Sequence, residues 1–569
     1  MAVITIFVTL LYWITHLWNF SGAPWNQNGL FDDAAWDIYF AKLHAFHGPV
    51  AAAYFDTVGY ISREVVFHYY ITIFFRLFGY NLLVFNVSLL VLGFVTVLFT
   101  TLVIHKMFRR WWVTAVSAIV LNFFPLHFLH IFMGHRYAIV VPLMMVSYYF
   151  LYTAVIRRSL VRALVSGVFA ALCVGSAIMG RQYVYGLTLS TACFVCVPDI
   201  RKKVKGFLPV ITVWAGSFLV AAAPLILYIL FNREAYFIRE KGLTQEFFRH
   251  VQTGGIGSVM PYLSQLGEMF FAKQSFRRQF LPDFYAIPIP YYVLLVSGLI
   301  IALYRRRLEV FWLSLIPVAG AIVAGSYDFR VLMAVPFWVI AIAMSLDALG
   351  HIRRNTFLKP PVVCAVIIVL AGGLVPSVRY IWRISHDPHS VYLLPHADVA
   401  VSRLVQDIAA GELHPTSAMK RNEFNRRMMN NVPYDMLVTP KSAYAIMHLY
   451  LQDFNDKNIL AFADGGIELL QTTEQLFRDN LTAIAAYRLH GKDLMLVWER
   501  SEKVDSIIRF FSRYTQYGEE KDIVDSTEGK TFTLHILTIR RENIAQFQRD
   551  VAADALMWYT NRGAGYEQK

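Results

Sequence analysis

Long apolar stretches alternate with tight Lys/Arg clusters through the first 384 residues, and this alternation constrains the fold more than any other feature. A membrane-crossing helix needs about 20 mostly apolar residues. Eleven stretches approach that length, near 1–20, 82–105, 111–132, 137–156, 161–180, 183–198, 207–231, 286–304, 309–325, 331–349 and 361–382. The first lacks the basic leader and the small-residue cleavage site of a signal peptide, so it reads as a span. Every second junction is basic: Lys106/Arg109/Arg110, Arg157/Arg158/Arg162, Arg201/Lys202/Lys203/Lys205, Arg305/Arg306/Arg307 and Arg353/Arg354/Lys359. Positive loops stay on the cytoplasmic side. The N-terminus is then expected inside, with the 21–81 loop, the 232–285 loop and everything after residue 383 outside.

Composition agrees. The chain is 57% hydrophobic and 16% charged, with mean hydropathy +0.46, whereas soluble domains are about 25% charged. Residues 1–384 hold 31 Lys+Arg against 14 Asp+Glu, a net of +17, and the remainder carries −4. The high pI thus comes from membrane-flanking loops and does not argue for nucleic-acid binding. The four cysteines, Cys173, Cys193, Cys196 and Cys364, lie in apolar stretches and read as core residues rather than a disulfide or zinc framework. The expected fold class is a polytopic α-helical membrane protein of about 11 transmembrane helices over 1–384. A soluble α/β domain over 385–569 is expected to follow on the outer face. Alternating runs at 435–439, 494–498 and 531–536 read as its strands, and 396–410 and 541–557 as helices.

The first outer loop opens with Phe31-Asp32-Asp33-Ala34-Ala35-Trp36-Asp37, three carboxylates in a chain where acids are sparse. Asp32 or Asp33 can cap a helix running to about Phe46, where Gly48-Pro49 stops it. Trp36, Tyr39, Phe40, Leu43 and Phe46 recur at helical spacing, so the helix is expected to lie in the membrane interface. A second amphipathic piece runs from Glu64 to Phe78 and ends at the turn Gly79-Tyr80-Asn81. The 232–285 loop carries both charge signs around the turn-rich 253–258.

Charges at membrane depth cost about 2.5–3.5 kcal/mol at a helix centre on insertion scales. The informative charges are those at the non-basic span ends: Asp32, Asp33, Asp37, Arg63, Glu64, Arg136, Arg181, Asp328 and Arg330. A carboxylate can take a proton from an acceptor hydroxyl. Arginines can hold a phosphate leaving group. Together they suit transfer from a phosphate-activated donor. Each residue also has a plainer reading. Asp32 or Asp33 can serve as helix cap, and Asp37 can sit on a solvated face. Arg136 and Arg181 can anchor helix ends at the interface. Asp328 and Arg330 can form a structural ion pair. His68, beside Tyr69, can be a packing residue. No zinc-ligand spacing, phosphate-binding glycine loop or nucleophile elbow occurs.

Three stretches resemble the GT-C superfamily of membrane glycosyltransferases, on the branch of protein O-mannosyltransferases and lipid A aminoarabinose transferases. They are Phe31-Asp32-Asp33 with the helix behind it, Phe67-His68-Tyr69-Tyr70-Ile71 through Leu77-Phe78-Gly79, and Arg330-Val331-Leu332-Met333-Ala334-Val335-Pro336. The resemblance spans residues 1–350. It departs at Asp33, where the family has Glu, and at Glu64-Val65-Val66-Phe67, where the family has Pro-Pro.

The resemblance implies an inverting glycosyltransferase, a hexosyl- or pentosyltransferase. It would move sugar from a polyprenyl- or dolichyl-phosphate donor to an acceptor hydroxyl on the extracytoplasmic face of a bacterial inner or plasma membrane. Asp32 matches the catalytic aspartate, with Asp33 or Asp37 in support. Arg330, then Arg181 and Arg136, would hold the donor phosphate, and His68, Tyr69 and Asp328 would border the substrate. No cofactor beyond the donor is implied. Other superfamily members hold a divalent metal on acidic residues, so metal use stays open. The alternatives are a transporter or flippase for a lipid-linked or anionic substrate, which should carry polar groups at mid-membrane, and a non-catalytic scaffold.

Overall fold

The computed structural model describes residues 2–20, 37–38, 41, 44–45, 54–55, 63–80, 82–133, 136–196, 206–233, 236–237, 249, 252, 260–271, 287–323, 328–351 and 359–386. In the tail it describes 434–438, 459–461, 493–499, 515–524, 531–539 and five positions from 542 to 549. The chain divides into two compact units, Met1–Leu393 and Leu394–Lys569.

The first unit is helical. Its elements are α1 (Ala2–Phe20), α2 (Val66–Phe78), α3 (Leu82–Phe108), α4 (Trp111–Asn122), α5 (Pro125–Met133), α6 (Val140–Arg157), α7 (Leu160–Val174), α8 (Gly180–Cys196), α9 (Leu208–Phe231), α10 (Met260–Phe271), α11 (Ile289–Tyr304), α12 (Leu308–Val323), α13 (Val335–His351) and α14 (Lys359–His386). Each of the eleven apolar stretches falls on a helix. Among the described residues, five segments are long and apolar enough to cross a membrane: Leu83–Phe108, Arg136–Arg157, Leu208–Phe231, Val331–His351 and Val363–Trp382. The others are shorter. Pro125, which has no N–H to continue a helix, splits the 111–132 stretch into α4 and α5.

The core centres on α13, where every residue from Val335 to Asp347 is buried. It packs on α3, α4, α11 and α12. In its most apolar window 94% is buried, against 17% for α9 and for α14, so those two lie at the edge of the described bundle. Gly298 lets α11 approach α13 closely, because a Cβ there would run into the Ala341 carbonyl. Several polar groups inside the bundle are paired between helices. Tyr12 donates to the Leu90 carbonyl at 2.7 Å, and Ser147, Ser166 and Tyr183 link α6, α7 and α8. Such bonds contribute about 0.6 kcal/mol each in membrane bundles.

Three helices end in the same way at the basic loops. Arg109, Arg158 and Arg306 have φ of 53°, 52° and 56° and are the non-glycine residues in the left-handed region among those described. The next helix begins two residues later each time, at Trp111, Leu160 and Leu308. Glycine is the usual residue at such a helix end, and an L-residue there costs roughly 1–2 kcal/mol.

One buried acid knits this end together. Asp347 receives Arg305 at 2.9 Å and Arg110 at 3.3 Å, and His351 lies 3.7 Å away. Nearby, Arg307 pairs with Glu309 at 3.5 Å and covers the Tyr152 ring. These acids joined no site in the sequence reading.

In the second unit the described strands form one sheet in the order β4-β3-β5-β7-β6: β3 (Tyr434–Val438), β4 (Ile459–Ala461), β5 (Asp493–Glu499), β6 (Thr515–Val524) and β7 (Thr531–Ile539). β3 is parallel to β4 and β5, whereas β7 is antiparallel to β5 and β6. The three strands anticipated from alternation are β3, β5 and β7. The polar Thr515–Val524 was not legible as a strand. The described positions at 542–549 are helical, and 396–410 lies outside the described residues.

Candidate active site

The segment from Asp37 to Ala45 docks on α2 through a regular ladder. His68 Nε2 meets Asp37 Oδ1 at 3.0 Å, Thr72 Oγ1 donates to the Ala41 carbonyl at 3.1 Å, and Arg76 donates to the carbonyls of His44 at 3.1 Å and Ala45 at 3.2 Å. The partners advance by four residues on both sides, so two helical faces lie side by side and run in the same direction. Residues 37, 38, 41, 44 and 45 are helical, as the capping pattern predicts. The His44 ring lies 4.7 Å from that of Tyr69. A two-residue pairing of β1 (Tyr54–Phe55) with β2 (Arg63–Glu64) closes the intervening segment just before α2. Gly79, at φ 87°, ends α2 where the sequence places a turn.

Asp37 is the focus of this arrangement, and it is fully buried rather than on a solvated face. Besides His68 it has Arg136 at 3.7 Å from the same carboxylate oxygen. His68 and Arg136 are also buried, at 0% and 3% exposure. The 3₁₀ turn Arg136–Ile139 carries the arginine, and it touches α2, α3, α5 and α6. A carboxylate and guanidinium removed from water together offset each other's desolvation, which either alone would bear in full. Burial holds the Tyr69 and Tyr70 phenols above their usual range, so both stay neutral. Tyr70 donates to the Ser88 carbonyl at 2.7 Å and ties α2 to α3.

Arg181 opens α8 beside another partner. Its guanidinium lies 4.7 Å from the centre of the Tyr236 ring and 6.0 Å from that of Phe237, and it donates to the Tyr236 phenol. Asp328 and Arg330 fall in the 3₁₀ turn Asp328–Ala334 that leads into α13. This turn and the one bearing Arg136 both pack on α5 and α6, so their backbones approach the same part of the bundle. Asp32 and Asp33 lie outside the described residues. The structure thus joins Asp37, His68 and Arg136 and sets Arg181 against aromatic residues of the 232–285 region. Thr72, Arg76, His44 and Tyr236 were missed. For Thr72 and Arg76 the signal was the shared four-residue spacing of 37/41/45 and 68/72/76; His44 and Tyr236 carried none. Among the described residues, no three His, Cys, Asp or Glu side chains gather as a metal site.

No protein-family description matches the chain, and no curated protein matches its sequence. Solved structures do match its fold. ArnT from Cupriavidus metallidurans, bound to undecaprenyl phosphate, aligns with TM-score 0.52 at 11% identity over 94% of this chain and 97% of its own. Its apo form aligns with TM-score 0.53 at 12% identity over 95% and 98%. The archaeal oligosaccharyltransferase AglB from Archaeoglobus fulgidus, in complex with an inhibitory peptide and a dolichol-phosphate, aligns with TM-score 0.52 at 10% identity over 93% and 73%. The chain is therefore an integral membrane protein with the GT-C fold, the fold of ArnT and AglB.

Proposed function

We propose that the protein is an inverting glycosyltransferase that takes sugar from a polyprenyl-phosphate or dolichyl-phosphate donor at the extracytoplasmic face. The carrying observation is the docking of the acid-bearing first outer loop by His68 and Arg136, in a fold whose solved examples bind lipid phosphates. Four and five residues before Asp37 in sequence, that loop holds Asp33 and Asp32. In the proposed step Asp32 removes the proton of the acceptor hydroxyl. The oxygen then forms a bond to the anomeric carbon from the face opposite the leaving group. The carbon–oxygen bond to phosphate breaks, and the lipid phosphate leaves with the electron pair.

Asp33 is the alternative base, since the two acids are adjacent in sequence. Arg330 and Arg181 are assigned to the departing phosphate, where a fixed cation stabilises the growing charge. Arg136 adds positive potential while its guanidinium holds Asp37. His68 is a positioning residue, and Tyr69 and Asp328 border the substrate.

The test is sugar transfer from labelled polyprenyl-phosphate sugars by the purified full chain in nanodiscs, with membrane extract as the acceptor source. D32N is expected to lose transfer and keep the wild-type melting temperature. Near-normal transfer in both D32N and D33N refutes the assignment. Binding of undecaprenyl phosphate without transfer from any donor favours a transporter.

A further inference from the structure

We propose that Arg109, Arg158 and Arg306 form a binding face for anionic phospholipid headgroups at the basic end of the membrane unit. Three observations carry this.

The first is the backbone. Each arginine occupies a left-handed helix end at which glycine is the least strained choice. The same exception is made three times, always with the same side chain and the same two-residue step to the next helix. A charge is being retained against conformational preference.

The second is the division of labour among neighbouring arginines. Arg110 and Arg305 are taken up by Asp347, and Arg307 by Glu309. Arg109, Arg158 and Arg306 are exposed, and among the described residues none has an acidic partner. The shared contacts also bring the three turns together. Asp347 joins the 109–110 turn to the 305–307 turn, and Arg307 over Tyr152 joins the latter to α6, six residues before Arg158. The result is one surface with its acids already neutralised.

The third is what borders that surface. Trp111, Ile156, Val161 and Tyr304 are exposed at 73%, 57%, 74% and 88%, on the helices that begin or end at these turns. Exposed aliphatic surface belongs against acyl chains, and Trp and Tyr favour the headgroup level. The arginines therefore sit where lipid phosphates lie, which selects a lipid headgroup over a soluble anion.

The test compares melting temperatures of the full chain in phosphatidylcholine nanodiscs and in discs that also contain phosphatidylglycerol. A ligand that binds only the folded state raises its stability. Wild type is expected to melt several degrees higher with phosphatidylglycerol, and added salt should shrink the increment. R109G/R158G/R306G is expected to melt at or above wild type in phosphatidylcholine alone, yet to lose most of the increment. R109K/R158K/R306K should keep much of it. If the triple glycine variant does not insert, R109G, R158G and R306G singly should each lose part of the increment. The proposal is overturned if wild type shows no increment, if the glycine variants retain it in full, or if inorganic phosphate reproduces it in phosphatidylcholine discs.

Discussion

Asp37 and Arg136 should behave as a mutually dependent buried pair, and that dependence can be measured. Their closest atoms are 3.7 Å apart, with the side chains 0% and 4% exposed. At an effective dielectric of about 20 the attraction is worth ~4 kcal/mol before desolvation is subtracted. Replacing Asp37 by Leu takes the carboxylate away from a buried guanidinium, which should cost about 3–5 kcal/mol. R136M should cost less, because His68 at 3.0 Å still supports the carboxylate. The double variant D37L/R136M removes both charges and leaves apolar side chains in their place. Its loss should fall short of the sum of the singles by about 2–3 kcal/mol, the upper range for residues in direct contact. Unfolding by denaturant in mixed micelles, supported by melting temperature, gives the cycle. Additivity within about 0.5 kcal/mol would show that the two charges do not depend on each other. A second outcome would refute the division of roles: D37N abolishing sugar transfer at unchanged stability makes Asp37 the acting acid and leaves Asp32 without its assignment.

Two further predictions probe the scaffold. G298L should lower stability by about 3 kcal/mol or more, since the helix backbone of α13 cannot yield to the new side chain; G216A on α9, where nothing lies within 4 Å, should be neutral or gain up to about 1 kcal/mol. Thermal melting of both variants checks the contrast, and equal losses would contradict the packing described. Y236F keeps the ring under Arg181 but removes its phenol acceptor, so it should cost about 1–2 kcal/mol. Y236A should cost more than Y236F in the same melting assay, and in an R181M background the difference between the two should shrink to what ring packing alone supplies.

Much of the membrane unit is legible because one physical rule acts along the whole chain. Apolar length and alternating basic loops locate the helices, and Asn, Gly and Pro mark where they stop. Span limits blur where local chemistry intervenes, as at Pro125 and at the 3₁₀ turns before α6 and α13. The ion pairs are less legible, since pairing depends on which helices become neighbours. Asp347 is one acid among apolar residues in sequence. Only the approach of α4 and α11 shows why it can stay buried. In the same way the second unit's β6 owes its strand state to β7 beside it, not to alternation in its own polar sequence.

The candidate site shows the limit most clearly. The acid cluster, His68 and Arg136 each stood out as residues, but their association rests on a register between two helices. That register has a visible cause. The contacts 37/68, 41/72 and 45/76 repeat every four residues, so a slide of one turn would preserve the backbone spacing. It would not preserve the chemistry. Moving α2 by four residues sets Thr72 against Asp37, with a short hydroxyl in place of the imidazole. Moving it the other way brings the residues before α2 opposite Asp37, so no side chain of the helix takes the place of His68. Only the observed register puts the imidazole on the acid while Arg136 approaches the same oxygen. Asp37 thus fixes, through His68, the register of its own segment on α2.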